Sequence, residues 1–440
     1  MKPSTQSTAE FGHASRPGSR IQHIRITPIA FRDGPLLNAS GIHEPWALRS
    51  IIEIETADGR VGISETYGDE PMVKVLAQAK SLLIGLSPFD LNVMEEIVRA
   101  AIKPTTGGSG VQFELAPGSH TAKNADKVIS AMEVAMLDLQ GQILGLPICD
   151  LLGGAVRTEV AYSAYLFYKY AEHVDKPYAP DAWGEAVTPE QIVQQAQRMV
   201  GLYGFKSIKL KGGVFPPAQE IAAMQALRAA FPTLPLRLDP NANWSLETSI
   251  AAAQELDELL EYYEDPCPGQ DNMAALAKHC TAPLATNMCV TTMEEFKRNA
   301  STQSVTVLLS DHHYWGGLRA TTALARMCSV FGMGMSMHSN SHLGISLMAM
   351  THAAAAIPNL TYACDTHYPW QEEEVIKGGR IAFHEGAVKV PTKPGLGVEI
   401  DQSQLAKLHQ QYLDCGVRNR NDLAQMRKYD PAFTGVCPRF

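Results

Sequence analysis

No stretch of this chain reaches the roughly 18 consecutive apolar residues that a membrane-spanning helix needs. Residues 1–20 (MKPSTQSTAEFGHASRPGSR) contain no apolar core of a secretory leader. Lysine and arginine form no run and the formal net charge is −9, so the electrostatic footprint of a nucleic-acid binder is missing. Neither a GxGxxG nor a GxxxxGKS/T element occurs, which leaves a nucleotide-binding open sheet without its signature. The eight cysteines (Cys149, Cys267, Cys280, Cys289, Cys328, Cys364, Cys415 and Cys437) are scattered with no CxxC pair, and read as reduced core thiols. Together these absences predict a cytoplasmic protein with a disordered segment over 1–20, no nucleic-acid partner and no membrane partner.

What remains is ordinary globular composition, with 45% hydrophobic and 19% charged residues. At 440 residues the chain exceeds what one hydrophobic core organises, so two domains are expected. An acidic protein that binds an anionic substrate must oppose its own field locally, with a metal ion or a few placed cations.

The segment IQHIRITPIAF from Ile21 alternates like a half-buried strand, and RSIIEIETADGRVGISET reads as two strands around an Asp58-Gly59 turn. Residues 71–100 and 126–145 carry helical periodicity, with Met132, Met136, Leu139 and Ile143 on one face. The first domain is therefore α+β. Between its helices, residues 103–124 are rich in Gly, Pro, Ser and Thr and read as a long loop.

After about residue 160, short β-rich runs alternate with amphipathic helices. The runs are VAYSAYLF, SIKLKG, LRLDPN, EYYEDP, APLATN, VTVLLSD, GMGMSMH and LTYACD. Thr188-Pro189 starts a helix with Ile192, Ala196, Met199 and Tyr203 on one face. Ser245 starts another with Leu246, Ile250, Ala253, Leu256 and Leu260. Eight βα units predict an α/β fold of the (β/α)8-barrel type, for which about 250 residues is typical; a doubly wound open sheet is the competing architecture.

Barrel chemistry is carried at the C-terminal ends of strands, and each run here ends in a polar residue. Lys209 and Lys211 lie two apart, hence on one strand face. Asp239, Glu264, Asn287, Asp311, His338 and Asp365 follow, at gaps from Lys211 of 28, 25, 23, 24, 27 and 27 residues. Taken singly, an acid after a strand is more often a helix cap and a lone lysine a solvated charge. In register, one βα unit apart, they converge on one rim. Asp239, Glu264 and Asn287 offer only oxygen ligands, which suits Mg²⁺ and not zinc. The Lys209-x-Lys211 pair aims two cations at that metal, so each ammonium pKa is expected to fall, making Lys211 a candidate general base. Asp311 is placed to fix the tautomer of His338, a second acid/base group on the opposite side. A metal between a lysine and a His/Asp pair suits abstraction of a proton α to a carboxylate, with the metal stabilising the enediolate.

With these residues in view, the chain resembles the enolase superfamily, and within it the glucarate dehydratase branch. The motifs, from about Ile21 to Asp422, are LLNASGIHEPW, MLDLQGQILG, IKLKGG, LDPNANW, YYEDPC, ATNM, DHHYW, MHSNSHLGISL, DTHYPWQ, PGLGVEID and RNRND. The resemblance implies a capping domain over 21–155, a barrel over 156–385 and a C-terminal segment, 386–440, returning to the cap. It implies Mg²⁺-assisted dehydration of a hexarate, D-glucarate first, to a 5-dehydro-4-deoxy acid. Matched position by position, Lys211 is the base, His338 acts with Asp311 from the other face, and Lys209 supports the substrate carboxylate. Asp239, Glu264 and Asn287 hold the metal. His43, Tyr165, Asn241, Ser339, Asn340, His367 and Arg420 become substrate contacts. A symmetric homo-oligomer is the family's common assembly.

The branch carries another acidic residue a few positions beyond EDPC, where this chain has Gln270; the ligand is therefore assigned to Glu264, and the share of Gln270 stays open. Before AMEVAMLDL, where the branch supplies a threonine contact, this chain reads KNADKVIS. Fold does not determine function on so versatile a scaffold. A dehydratase or epimerase for galactarate, an aldonate or tartrate, and a weakly active paralogue serving as a partner protein, are the alternatives.

Overall fold

The computed structural model describes residues 19–103, 121–175 and 181–440. Most of the expected 103–124 loop and most of the expected disordered segment lie outside the described residues; Ser19 and Arg20 are placed, and Arg20 Nη1 donates to Gly85 O at 2.7 Å.

The chain opens with a three-stranded antiparallel sheet, Ile21–Arg32, Trp46–Thr56 and Val61–Tyr67, in that spatial order. Gly59, at φ 82°, makes the turn that only a glycine takes without strain. Three helices back the sheet: Glu70–Lys80, Leu91–Ala101 and Asn124–Leu144. The last is buried along most of its length and touches both the sheet and the barrel.

Seven parallel strands follow: Ala164–Phe167, Ile208–Lys211, Leu236–Asp239, Leu260–Glu264, Leu284–Thr286, Val307–Ser310 and Gly334–Met337, each paired to the next in sequence. Two expectations need correction. The run VAYSAYLF is split, because Tyr162 N bonds Gly386 O and Ser163 N bonds Cys364 O, so Glu159–Ala161 pairs antiparallel with Ala387–Lys389 while only Ala164–Phe167 enters the barrel. LTYACD forms no strand. Thr361 and Tyr362 both donate to Met335 O, which breaks the alternation of a ladder. The ring still closes there: Cys364 bridges Tyr162 in parallel sense and Asp365 N donates to Met337 O at 2.9 Å.

Local signals decide the helix starts. Thr188 and Gln191 form a reciprocal capping box ahead of Pro189–Tyr203, and Ser245 caps Leu246–Leu256 by accepting from Thr248 N. The second helix stops at Leu256, and Leu260 begins the next strand instead of extending the helical face. Toward the C-terminus, helix Gln402–Asp414 packs on the first strand, where Gln411 Nε2 donates to Ala30 O at 2.9 Å. Arg439 ties the chain end to both parts: its backbone N donates to Asn243 O and its Nη2 to Ala39 O. Among the described residues no helix is long and apolar enough to cross a membrane.

The loop after Ile208–Lys211 is held by one buried acid. Glu220 accepts from the backbone N–H groups of Gly213, Val214 and Phe215 at 2.8 to 2.9 Å, and burial pushes its carboxyl up to about 7. Gly213 sits at φ +70°, and a Cβ there would lie 2.0 Å from Pro240 O, on the loop that follows Asp239. Gly213→Ala is therefore expected to cost about 2–5 kcal/mol, the sum of backbone strain and overpacking, measured as a lowered denaturant midpoint.

Candidate active site

The strand ends meet in a buried polar cluster. Lys209 Nζ lies 2.7 Å from Asp365 Oδ2, 2.6 Å from Glu264 Oε2 and 3.5 Å from Asp239 Oδ2. The Glu264 contact is electrostatic, since that oxygen receives no directed hydrogen bond. Lys211 Nζ donates to Asp239 Oδ2 at 2.6 Å and to Asn241 Oδ1. Asn241 and Ala242 both hold φ 56°, a conformation that non-glycine residues avoid. It is secured by Asn241 N donating to Asp239 Oδ1 and Ala242 N to Asp265 O. Strained backbone is thus what turns the Asn241 amide toward Lys211.

These contacts reverse one expectation. Burial would lower the Lys209 pKa, but Asp365 and Glu264 outweigh it and hold the ammonium well above its ordinary value. Burial lifts the Glu264 carboxyl well above the usual range despite Lys209, with Asp239 and Asp365 adding repulsion. Asp239 goes the other way, because Lys211 and Lys209 overcome its burial.

Asn287 shares this cradle. Its side-chain carbonyl faces Asp265 Oδ2 at 3.2 Å and Glu264 Oε1 at 3.3 Å; turned over, its NH₂ would donate to both. The turned-over amide satisfies both carboxylates directly, and with its oxygen toward them it would join an all-oxygen donor set of the kind a hard dication takes. Glu264 Oε2 has the Lys209 ammonium at 2.6 Å but no directed hydrogen bond, and with Asp239 and Asn287 the oxygen donors fit Mg²⁺. Asp265 braces it, accepting from Thr286 Oγ1 at 2.5 Å and Asn287 N at 2.9 Å. The Gln270 amide nitrogen donates to Cys289 O at 2.9 Å and Glu295 O at 3.1 Å, while its buried amide oxygen takes no hydrogen bond.

On the other side, Asp311 Oδ2 lies 3.2 Å from His338 Nδ1 and accepts from Asn340 Nδ2 at 3.2 Å. Its Oδ1 takes the backbone N of His313 at 2.9 Å and the ring Nδ1 of His313 at 2.7 Å. Burial alone would raise the Asp311 carboxyl, but the His313 and His338 rings hold it well below the carboxylate range. Tyr314 links the two halves, with its hydroxyl donating to Asn287 O at 3.3 Å and its ring 6.2 Å from that of His338. Asp311, His312 and His313 also form a group with metal-ligand spacing. However, the two N–H bonds that His313 gives to Asp311 Oδ1 already use the facing atoms.

The remaining candidates form the distal end. His43 stacks 6.1 Å from His367, and Tyr165 and Phe167 lie within 5.0 Å of the His367 ring. His43 Nδ1 donates to Asp33 Oδ2 at 2.9 Å. Ser339 Oγ accepts from His367 N at 3.0 Å, while Asn340 gives its amide nitrogen to Tyr67 Oη as well as to Asp311. Arg420 is ion-paired, with Nε and Nη2 reaching the two oxygens of Asp422 at 2.7 and 2.6 Å.

Asp365 was named as the last member of the strand-end series but given no role, and His313, two residues beyond Asp311 in DHHYW, was not singled out. Arg49, Glu65 and Tyr67 left no trace beyond strand alternation.

Residues 191–404 match the family described as enolase C-terminal domain-like, and residues 43–153 match the mandelate racemase / muconate lactonizing enzyme N-terminal domain. The chain is 49% identical over 428 residues to a probable glucarate dehydratase of Streptomyces coelicolor, covering 96% of this chain and 99% of the relative. It is 26% identical to a D-xylonate dehydratase of Haloferax volcanii, over 81% of this chain and 84% of that one. A crystal structure of an enolase from Pseudomonas fluorescens Pf0-1 with bound magnesium, potassium and tartrate superposes with a TM-score of 0.93 at 59% identity, covering 96% of this chain and 99% of the other. With two family domains in order, a near-complete match at 49% identity and a charged rim at the strand ends, the chain belongs to the enolase superfamily.

Proposed function

We propose that the protein is a Mg²⁺-dependent acid-sugar dehydratase whose substrate is a hexarate, D-glucarate first. The observation that carries this reading is the pairing of Lys211, beside the all-oxygen cradle, with the His338–Asp311 dyad across Tyr314 and Asn287. Asp239, Glu264 and Asn287 would hold the metal. When bound there, Mg²⁺ supplies positive charge that favours a neutral Lys211 and stabilises negative charge on the substrate carboxylate.

Lys211 then takes the α-proton, the electron pair of that C–H bond forms the C=C bond, and the β-C–O bond breaks. His338, oriented by Asp311, gives its proton to the departing hydroxyl, which leaves as water. Tautomerisation of the enol yields the 5-dehydro-4-deoxy acid. Lys209 neutralises the carboxylates behind the metal and supports the substrate carboxylate. His43, Tyr165, Asn241, Ser339, Asn340, His367 and Arg420 are the proposed substrate contacts. A cytoplasmic location and a symmetric homo-oligomer belong to the same reading.

One observation favours a second substrate class. The Arg420 guanidinium is already paired with Asp422, so a second carboxylate at the distal end meets no uncompensated cation there, as an aldonate would prefer. Product analysis with Mg²⁺ over hexarates, hexonates and tartrate separates the two.

Activity should require a divalent ion and be lost in Asp239→Asn; full turnover after exhaustive chelation would remove the metal from the mechanism. Because the Gln270 amide is engaged by backbone carbonyls, Gln270→Ala should weaken Mg²⁺ binding far less than Glu264→Ala, and a calorimetric titration showing the reverse would move the ligand to Gln270. In deuterated water, His338→Asn should still exchange the α-proton of the epimer facing Lys211 while dehydration falls by about 10²–10⁴-fold. Lys211→Ala should exchange only the other epimer. Equal loss of exchange at both epimers, in variants that still bind Mg²⁺ and substrate, would replace the two-sided mechanism with a single base.

A further inference from the structure

We propose that the capping sheet sets the state of the catalytic dyad: the Glu65–Arg49 ion pair holds His313 as its neutral Nδ1–H tautomer, and that ring aims Asp311 at His338. The inference deepens the reading above, resting on the acid/base role given there to His338. It makes Arg49 and His313 positioning residues contributed by two different domains' worth of chain.

The tautomer follows from donors and acceptors. An ionised Asp311 can only accept, so the 2.7 Å contact to His313 Nδ1 requires the proton on that nitrogen. His313 Nε2 faces Arg49 Nη2 at 2.9 Å, and a guanidinium has no acceptor, so Nε2 must present its lone pair. A second proton there would set an N–H against a permanent cation. The Ser346 hydroxyl lies 2.9 Å from the same nitrogen and accepts from Arg49 Nη2 at 3.4 Å, so it sits beside the guanidinium on the same lone pair. The remaining rings around His313 are His312, at 4.0 Å between centroids, and Tyr67, at 5.6 Å.

Arg49 has no freedom to leave. It is 2% exposed, its Nε donates to Glu65 Oε1 at 2.9 Å, and its guanidinium lies 5.0 Å from the Tyr67 ring centroid. Glu65 is itself clamped to the barrel, accepting from Leu343 N at 2.9 Å and Ser346 N at 3.0 Å at the start of helix Gly344–Ala356. Strand pairing explains the placement: Arg49 lies opposite Tyr67 and Glu65 is two residues from Tyr67, so all three side chains share one face of the sheet.

The consequence falls on Asp311. One oxygen is pinned by His313 and the other is left to His338 and Asn340. Because His313 is neutral, the carboxylate keeps its full charge for the imidazolium that His338 must become in each cycle. A protonated His313 would take that charge away. Tyr67 adds a second line from the cap, holding Asn340 by its hydroxyl at 2.9 Å.

The test uses the full-length protein with Mg²⁺, D-glucarate and its C5 epimer. Arg49→Met/Glu65→Gln removes both charges together, so neither is left buried alone, and His313→Leu removes the ring. Both should lower dehydration and His338-side exchange by about 10- to 100-fold, the usual effect of losing an orienting partner. Lys211-side exchange and KM should stay near wild type. His313→Asn, whose amide N–H can replace the Nδ1 donor, should recover most of the loss. Independently of turnover, ¹⁵N-histidine spectra at neutral pH, assigned with His313→Leu, should show His313 protonated on Nδ1 and bare on Nε2, and the double variant should lose that pattern. A wild-type His313 protonated on Nε2, or equal loss of exchange at both epimers, overturns the inference. A wild-type protein inert toward every acid sugar overturns the dehydratase reading instead, while the nitrogen spectrum still decides the tautomer.

Discussion

Burying an ammonium group removes it from water at a cost of several kcal/mol, and at the barrel mouth that cost is offset only because Lys209 is ringed by acids. Its nitrogen has Asp365 and Glu264 in contact and Asp239 just beyond, all with no solvent exposure. Lys211 meets Asp239 as well, and the Arg237 guanidinium lies 3.8 Å from Asp365 Oδ1, so cations and carboxylates alternate around the mouth. Burial lifts the Glu264 carboxyl well above the ordinary range despite Lys209, with repulsion from Asp239 and Asp365 adding to it. A cation that bound Glu264, Asp239 and Asn287 would relieve that repulsion. Removing Lys209 would leave buried carboxylates without their cation, at about 3–5 kcal/mol.

Around this cluster the protein is built to hold backbone that would otherwise relax. Glu220 collects three N–H groups from the loop after Lys211, Asp265 ties the strand end carrying Glu264 to that carrying Asn287, and the chain terminus bonds Asn243. Each of these braces acts one element away from the group it positions. The capping sheet does the same for the His338–Asp311 dyad through Arg49, Glu65 and Tyr67. The orientation of that dyad is therefore tied to the cap, whereas the hydrogen bonds of Lys211 among the described residues go to Asp239 and Asn241 of the barrel.

Much of this was readable along the chain. The near-constant interval from Lys211 through Asp365 equals one βα unit, so the convergence of those residues follows from the repeat itself. Thr188-Pro189 and Ser245 announced their helices because capping is a local event, settled by side chains within three residues. The splitting of VAYSAYLF and the failure of LTYACD to form a strand were not readable, since both depend on which backbone groups Gly386, Cys364 and Met335 offer from distant positions.

What the sequence by itself determined, then, was periodicity: two domains, a barrel, and the set of polar residues delivered to its rim. The tertiary structure alone decided the charge state and orientation of those residues. The Lys209 pKa moved upward, against expectation, because it reflects the nearest opposite charges across the ring, and Asp365 is 156 residues away. Likewise the tautomer of His313 depends on Arg49, 264 residues distant. Proton placement responds to contacts of a few ångströms, and no one-dimensional spacing encodes which far segments come that close.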